Sequence, residues 1–160
     1  MKRLIIIAAA SLLLAACAKE DDTLVETSWG WSFDSQSTVY EAGESVTINS
    51  LSVGIRFDTP THGHAYIQDN RKIYGHEYFY YAVYDVHYTY NERDNKGSIT
   101  FTKEYHENNG QFYESWYSDT VTTSFYTYAG NNRIFLDSTP HKHIQHVDLN
   151  KKMTSILINH

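Results

Sequence analysis

Strict alternation of apolar and polar residues is the feature that most restricts the fold of this chain. Between Tyr78 and Tyr90 every even-numbered position is apolar or aromatic, namely Tyr78, Tyr80, Ala82, Tyr84, Val86, Tyr88 and Tyr90. A period of two indicates a β-strand with one buried face. At about 3.3 Å per residue the run would extend over roughly 40 Å, which is too long for one straight strand in a small domain. We therefore predict a strand that bends, as strands do in a barrel.

Shorter stretches with the same alternation lie on both sides of this run. Trp29, Trp31 and Phe33 form one, and the segment 51–57 forms another. No stretch of ten or more residues after residue 17 has apolar residues at helical spacing. The expected fold is an all-β antiparallel meander of about eight to ten strands, closed as a barrel, with a β-sandwich as the alternative.

Clusters of Asn, Asp, Gly and Lys separate the alternating stretches and predict turns. The predicted turns are Asn49-Ser50, Asp69–Lys72, Arg93–Gly97, Asn108–Gly110, Gly130–Asn132 and Asn150–Lys152, with a last strand over Thr154–Ile158.

The N-terminus has the pattern of a signal peptide. Lys2 and Arg3 precede a small or apolar run over residues 4–16, interrupted only by Ser11. This order of a cationic and an apolar region is typical of a secretory signal. The run is shorter than the roughly 20 residues that a membrane-spanning helix needs, so we predict that residues 1–16 are removed.

The segment Leu14-Ala15-Ala16-Cys17 resembles the lipobox of bacterial lipoproteins, which implies that the Cys17 thiol carries a diacylglycerol. Cys17 is the only cysteine, so it has no disulfide partner within the chain. The alternative is an ordinary secreted protein with a free thiol. Several acyl chains on one cysteine hold a protein firmly on a membrane, so a membrane is the expected partner.

The residues after Cys17 carry concentrated charge. Lys19, Glu20, Asp21 and Asp22 resemble the signal with which Bacteroidota export lipoproteins to the cell surface. The alternative is a solvated tether, since consecutive acidic residues repel each other. The expected organisation is a signal peptide at 1–16, a lipidated acidic tether at 17–24 and one β-domain at 25–160, displayed on the outer membrane.

Composition restricts the partners of this domain. The chain has 13 basic and 19 acidic residues, for a net charge of −6, and no basic stripe, which argues against nucleic acid. Tyrosine is abundant, with 14 residues against 7 phenylalanines. Tyrosine suits pleated sheet surfaces, and its ring with a polar tip also lines ligand cavities and protein interfaces.

Three segments together resemble lipocalin-like domains of Bacteroidota lipoproteins. Residues 24–31 resemble the L-x-G-x-W opening of those domains, with Glu26 where glycine is usual. Residues 97–101 and 125–136 resemble their closing hairpins. The resemblance implies a lipocalin-like barrel with room for a ligand and no defined chemistry.

Two histidine clusters are candidate metal ligands. His62 and His64 lie two apart, and His141, His143 and His146 follow a proline near the C-terminus. Zinc needs three or four converging ligands, and neither an HExxH motif nor a second cysteine is present. We predict no metal site and no cofactor.

The sequence also lacks the patterns of common hydrolases. No G-x-S-x-G nucleophile elbow occurs. Asp85, His87 and Thr89 share one strand face, but side chains two apart on a strand are separated by about 7 Å. Without rotation of the side chains this is too far for a direct Asp85–His87 hydrogen bond, so we expect no catalytic role for these residues and no enzymatic activity.

The remaining hypothesis is a binding module whose barrel holds a small apolar or glycan ligand. The predicted lining residues are aromatic and belong to two strands: Trp29, Trp31, Tyr80, Tyr84 and Tyr88. The alternative is a surface interaction or structural protein with a filled barrel. A cavity on the order of 300 Å³ or more would favour the binding module.

Overall fold

A computed structural model describes residues 24–41, 43–109 and 116–152 of the chain. The predicted signal peptide, Cys17, the acidic tether to residue 23 and the predicted strand over 154–158 lie outside these residues. In the part that is described, no helix is long and apolar enough to cross a membrane.

Within the described ranges the chain forms nine β-strands. They are β1 (Thr27–Phe33), β2 (Ser37–Glu41), β3 (Glu44–Phe57), β4 (His62–Ile73), β5 (His76–Asn91), β6 (Lys96–Asn108), β7 (Thr120–Tyr128), β8 (Arg133–Leu136) and β9 (Val147–Lys152).

Eight of the strands close into an antiparallel barrel. The order runs from β3 through β4, β5, β6, β7, β8 and β9 to β1, and β1 pairs back with β3. β2 is an additional strand on β3, where it continues the position of β1: residues 51–57 of β3 pair with β1, and residues 44–48 pair with β2. The predicted all-β barrel is confirmed, and the sandwich alternative is not what the chain forms.

The longest strand has the predicted buried face and an irregularity along its length. The even-numbered residues of β5 from Tyr80 to Tyr88 are buried, while His87 and Thr89 are exposed. The pairing of β5 with β6 shifts register between Val83 and Tyr84. Such a bulge bends a strand locally, which allows the long run to follow the barrel wall.

Three predicted turns are wrong, because strand pairing overrides local turn propensity. Asn49-Ser50 lies at a bulge inside the continuous β3, Asp69–Lys72 belongs to β4, and Asn150–Lys152 belongs to β9. The turn after β4 is instead at Tyr74-Gly75, where both residues have positive φ. Two such residues are typical of a tight hairpin.

The two ends of β1 mark the two ends of the barrel. At the end that we call the Leu24 end, Leu24 is buried and accepts a hydrogen bond from the Thr27 amide, and Thr27 pairs with Phe57. At the opposite end, Phe33 pairs with Leu51. Residues 137–146, which link β8 to β9 there, are called the cap segment.

Candidate functional site

The cap segment is held against the short stretch that precedes β7. The amide of Lys142 donates to the carbonyl of Trp116 at 2.8 Å, and the amide of Ser118 donates to the carbonyl of Pro140 at 2.9 Å. Inside the cap segment, the Thr139 hydroxyl donates to the Ile144 carbonyl at 2.9 Å. These bonds give the loop a defined path although it contains no long strand.

Four polar side chains form a cluster below the cap segment, inside the barrel. Asp69 and Arg71 come from β4 and are 0% exposed, and His141 comes from the cap segment and is 1% exposed. The Asp69 Oδ2 atom accepts a hydrogen bond from the Tyr117 hydroxyl at 2.7 Å and lies 3.1 Å from the His141 Nε2. The same oxygen accepts a bond from the Arg71 guanidinium. We call Asp69, Arg71, Tyr117 and His141 the buried cluster.

Hydrogen bonds assign the proton of His141. The amide of His143 lies 3.2 Å from the His141 Nδ1, and because a backbone amide can only donate, Nδ1 carries no proton. The proton is therefore on Nε2, which donates to Asp69. Burial lowers the pKa of His141, against the opposing effect of the Asp69 contact, so the imidazole is neutral.

Asp69 keeps its negative charge despite its burial. Burial alone would raise the pKa of this carboxyl, but hydrogen bonds from His141 and Arg71 outweigh it and lower the pKa overall. Burial also raises the pKa of Tyr117 well above its ordinary value, so its hydroxyl keeps the proton that it donates. The cluster therefore contains one carboxylate and one guanidinium, whose charges compensate each other.

Aromatic rings cover the buried cluster. The Arg71 guanidinium lies 3.7 Å from the centre of the Trp116 ring, in the range of a cation–π contact. Tyr80 stacks on Tyr117 at 3.9 Å between centroids, and His143 packs on Trp116 at 4.2 Å. These rings shield the cluster from solvent, so its polar groups are not accessible to a substrate. Its hydrogen bonds instead hold the cap segment in place.

An open groove lies beside the cap segment, between it and strands β1, β2 and β3. Its volume is about 450 Å³, within the range of about 300–1,000 Å³ that is usual for ligand sites. The apolar lining consists of Trp31, Phe33, Val39, Ile48, Leu51 and Ile144, and the polar lining of Ser37, Lys142, His143, Gln145 and His146. Trp31 and Phe33 are stacked at 6.4 Å between centroids. We call this cavity the groove.

The groove and the buried cluster share one wall. His143 lines the groove and packs its ring on Trp116, which in turn covers Arg71. The backbone amide of the same histidine donates to His141. The position of the cap side of the groove therefore depends on the hydrogen bonds of the cluster.

Of the five predicted lining residues, all within the described ranges, Trp31 alone lines the groove. Trp29, Tyr80 and Tyr84 are fully buried in the core. Tyr88 packs on Phe57 at 4.5 Å between centroids. These four side chains fill the barrel interior. Inward-facing aromatic residues at alternate positions occur both in a packed barrel and in the wall of a cavity, so the alternation in the sequence does not separate the two.

The two histidine clusters do not converge on a metal ion. Among the described residues no group of three or more His, Cys, Asp or Glu side chains could hold one. The His64 Nδ1 lies 2.8 Å from the Asp58 carboxylate, and the ring of His62 lies 4.0 Å from that of His87. His146 stacks on Phe135 at 5.7 Å. His62, His64 and His146 thus have different local partners, while His141 and His143 both pack on Trp116.

Asp85 and His87 lie on the outer face of β5 and contact each other. The Asp85 Oδ2 and the His87 Nε2 lie 3.1 Å apart. Rotation of the two side chains toward each other on the outer face of β5 closes the gap that their spacing along the strand predicts. The His87 side chain is 56% exposed, so this surface contact adds little stability.

No family model, curated protein or solved structure matches this chain. Its function is therefore inferred from the groove and the cap segment. The groove residues that the predicted lining did not include are Phe33, Ser37, Val39, Ile48, Leu51 and those of 142–146. The one available signal was the Trp29-x-Trp31-x-Phe33 alternation, which continues one inward face from the core to the open end.

Proposed function

We propose that the protein is an outer-membrane lipoprotein, anchored through lipid on Cys17 and displayed at the cell surface, that binds a small ligand in the groove. The proposal contains no enzymatic step. Of the two ligand classes expected from the sequence, apolar ligands fit the groove better, because six of its lining side chains are aliphatic or aromatic. The groove is the observation that carries the proposal.

The position of the groove agrees with such an anchor. Leu24 is the last residue of the proposed tether and lies at one end of the barrel, whereas Phe33 and the groove lie at the other. The seven residues of β1 between these ends extend over about 20 Å. A barrel attached to the membrane at its Leu24 end would present the groove to the surroundings.

A neutral fluorescent probe tests binding in the groove. N-phenyl-1-naphthylamine is apolar and uncharged and becomes bright in an apolar site, so its titration with the purified chain should saturate. Val39 lines the groove from β2, the additional strand outside the closed barrel. Val39→Asp places a charge on the floor of the groove, and we expect at least about tenfold weaker binding because an apolar ligand cannot solvate it.

Thr38→Asp is the matched control. Thr38 is the neighbour of Val39 on β2, is exposed and does not line the groove. Thr38→Asp adds the same charge without changing the groove, so the affinity for the probe should stay within about twofold. Equal loss in both variants, or no saturable binding by the unaltered chain, would contradict the proposal.

The alternative is a non-enzymatic surface or structural protein with a filled barrel. It is supported by the interior, where large aromatic side chains and the buried cluster leave the centre packed. Several tyrosines also face outward, with Tyr40 80% exposed and Tyr105 53% exposed. Failure of the probe experiment, with a folded chain, would favour this second function.

A further inference from the structure

We infer that the groove selects anionic amphiphiles, with the apolar body on the strand side and the acidic headgroup at Lys142 and His146 of the cap segment. This inference rests on the proposed function and adds the chemical class of the ligand. It depends on the distribution of charge around the groove.

The described lining of the groove lacks the acidic excess of the whole chain. The chain has a net charge of −6, yet the described residues that line the groove include one lysine and two histidines and neither aspartate nor glutamate. Asp34 directly follows Phe33 in the chain but is exposed and does not line the groove. A cavity with this lining attracts a negative group more strongly than a positive one.

The polar and apolar residues are also segregated. Five of the apolar lining residues belong to β1, β2 and β3, whereas the lysine and both histidines belong to the cap segment. Lys142 and His146 are exposed at the rim, and the buried Ile144 lies between them in sequence. A ligand with one apolar part and one acidic end matches this division.

The buried cluster does not cancel this preference. Asp69 lies beneath the cap segment, but its charge is compensated by Arg71. The carboxylate therefore does not oppose an anion at the rim. The same cluster holds His141, so it also positions Lys142, the next residue in the chain.

Displacement of bound N-phenyl-1-naphthylamine by three ligands of equal chain length tests the inference at pH 7.5 and low salt. Decanoate should displace the probe at a concentration at least about threefold lower than decanol, in keeping with one exposed charge contact. Decylamine, which is a cation, should be the weakest. Raised salt should reduce the advantage of decanoate over decanol, because ions screen exposed charges.

Chain length and rim charge supply two further comparisons. Each methylene added to decanoate should tighten binding by up to about fourfold if it is buried on the floor. The variant Lys142→Gln/His146→Gln should bring the affinity for decanoate to the level of that for decanol, both measured on the same variant. Lys72→Gln, at an exposed position on β4 that does not line the groove, should change neither.

The outcomes separate the two proposals. Equal affinities for decanoate and decanol, with the probe still bound in the groove, would overturn the anionic preference and leave the proposed function intact. Displacement by maltose but not by decanoate would overturn the amphiphile class in favour of a glycan. Absence of probe binding would overturn both.

Discussion

The His141 Nε2 donates a hydrogen bond of 3.1 Å to the Asp69 carboxylate, and the two residues are 72 positions apart in the chain. This bond joins the cap segment to β4. Because Lys142, His143, Ile144, Gln145 and His146 directly follow His141 and line the groove, the bond also sets the position of one wall of the proposed ligand site. Stability of the fold and the shape of the groove are therefore linked.

Removal of one member of the buried ion pair should destabilise the fold strongly. Asp69→Leu leaves the fully buried Arg71 guanidinium without its carboxylate, and we expect a loss of about 3–5 kcal/mol in the free energy of unfolding. In the double variant Asp69→Leu/Arg71→Met no charge is left unpaired, so it should recover most of that loss. Urea denaturation measures both, and a double variant less stable than Asp69→Leu would contradict the interpretation.

Stability should fall below about pH 6.5 through His141. Burial lowers the pKa of His141 in the folded state, whereas an imidazole in the unfolded chain titrates near about 6.5. Above that pH neither state is protonated. Below it the unfolded chain takes up a proton that the folded chain refuses, so the free energy of unfolding decreases as the pH falls toward the folded-state pKa.

Urea midpoints at pH 7.5 and pH 5.5 measure this effect. His141→Gln should be less stable than the unaltered chain at pH 7.5 but should lose less on acidification, because glutamine does not titrate. His76→Gln removes an exposed histidine at the start of β5 and should keep the full decrease. Equal decreases in His141→Gln and the unaltered chain would exclude His141 as the source.

Gly63 should tolerate no side chain. A Cβ at this position would lie 2.1 Å from the backbone oxygen of Arg56, whereas a Cβ at Gly30 would meet the Lys152 side chain, which can move away. Both glycines lie in strands, so Gly30→Ala is a matched control. We expect Gly63→Ala to lower the free energy of unfolding by about 1–3 kcal/mol and Gly30→Ala to have a smaller effect. Thermal or urea unfolding measures both variants. A larger loss for Gly30→Ala than for Gly63→Ala would contradict the interpretation, because it would show that the backbone near Gly63 can move to make room for a side chain.

Much of the fold could be predicted because it is encoded in local alternation. The inward face of β5 and the hairpin turn between Asn91 and Lys96 follow from residues close in sequence. The buried cluster could not be predicted in this way. Asp69–Lys72 has the composition of a turn, and only its pairing with both β3 and β5 makes it a strand that buries Asp69 and Arg71.

The groove forms only when the barrel closes, so it could not be predicted from local patterns in the sequence. Its lining comes from residues 31–51 and 142–146, which are far apart in sequence and meet because β1 pairs with both β3 and β9. Alternation identifies Trp29 and Trp31 as facing the same side, but it does not say which one lies in the packed core and which at the open end. That distinction depends on the depth of each residue in the barrel.

Lipid attachment is a separate prediction that the described residues do not cover. Cells that express the protein and take up a clickable fatty acid should label it, and Cys17→Ala should abolish both the label and membrane association. Replacement of Lys19, Glu20 and Asp21 by alanine should keep the label but remove protease accessibility on whole cells. Labelling of the Cys17→Ala protein would rule out this anchor, and unchanged accessibility would reduce the charged residues to a spacer.

The most direct test of ligand binding in the groove uses the three tryptophans of the chain. Their indole N–H groups give separate NMR signals, and Trp31 lines the groove whereas Trp29 lies in the packed core. Titration with decanol should therefore shift the Trp31 signal most and leave that of Trp29 nearly unchanged. A shift centred on Trp29, or saturating binding that leaves Trp31 unmoved, would contradict the placement of the ligand site at the groove.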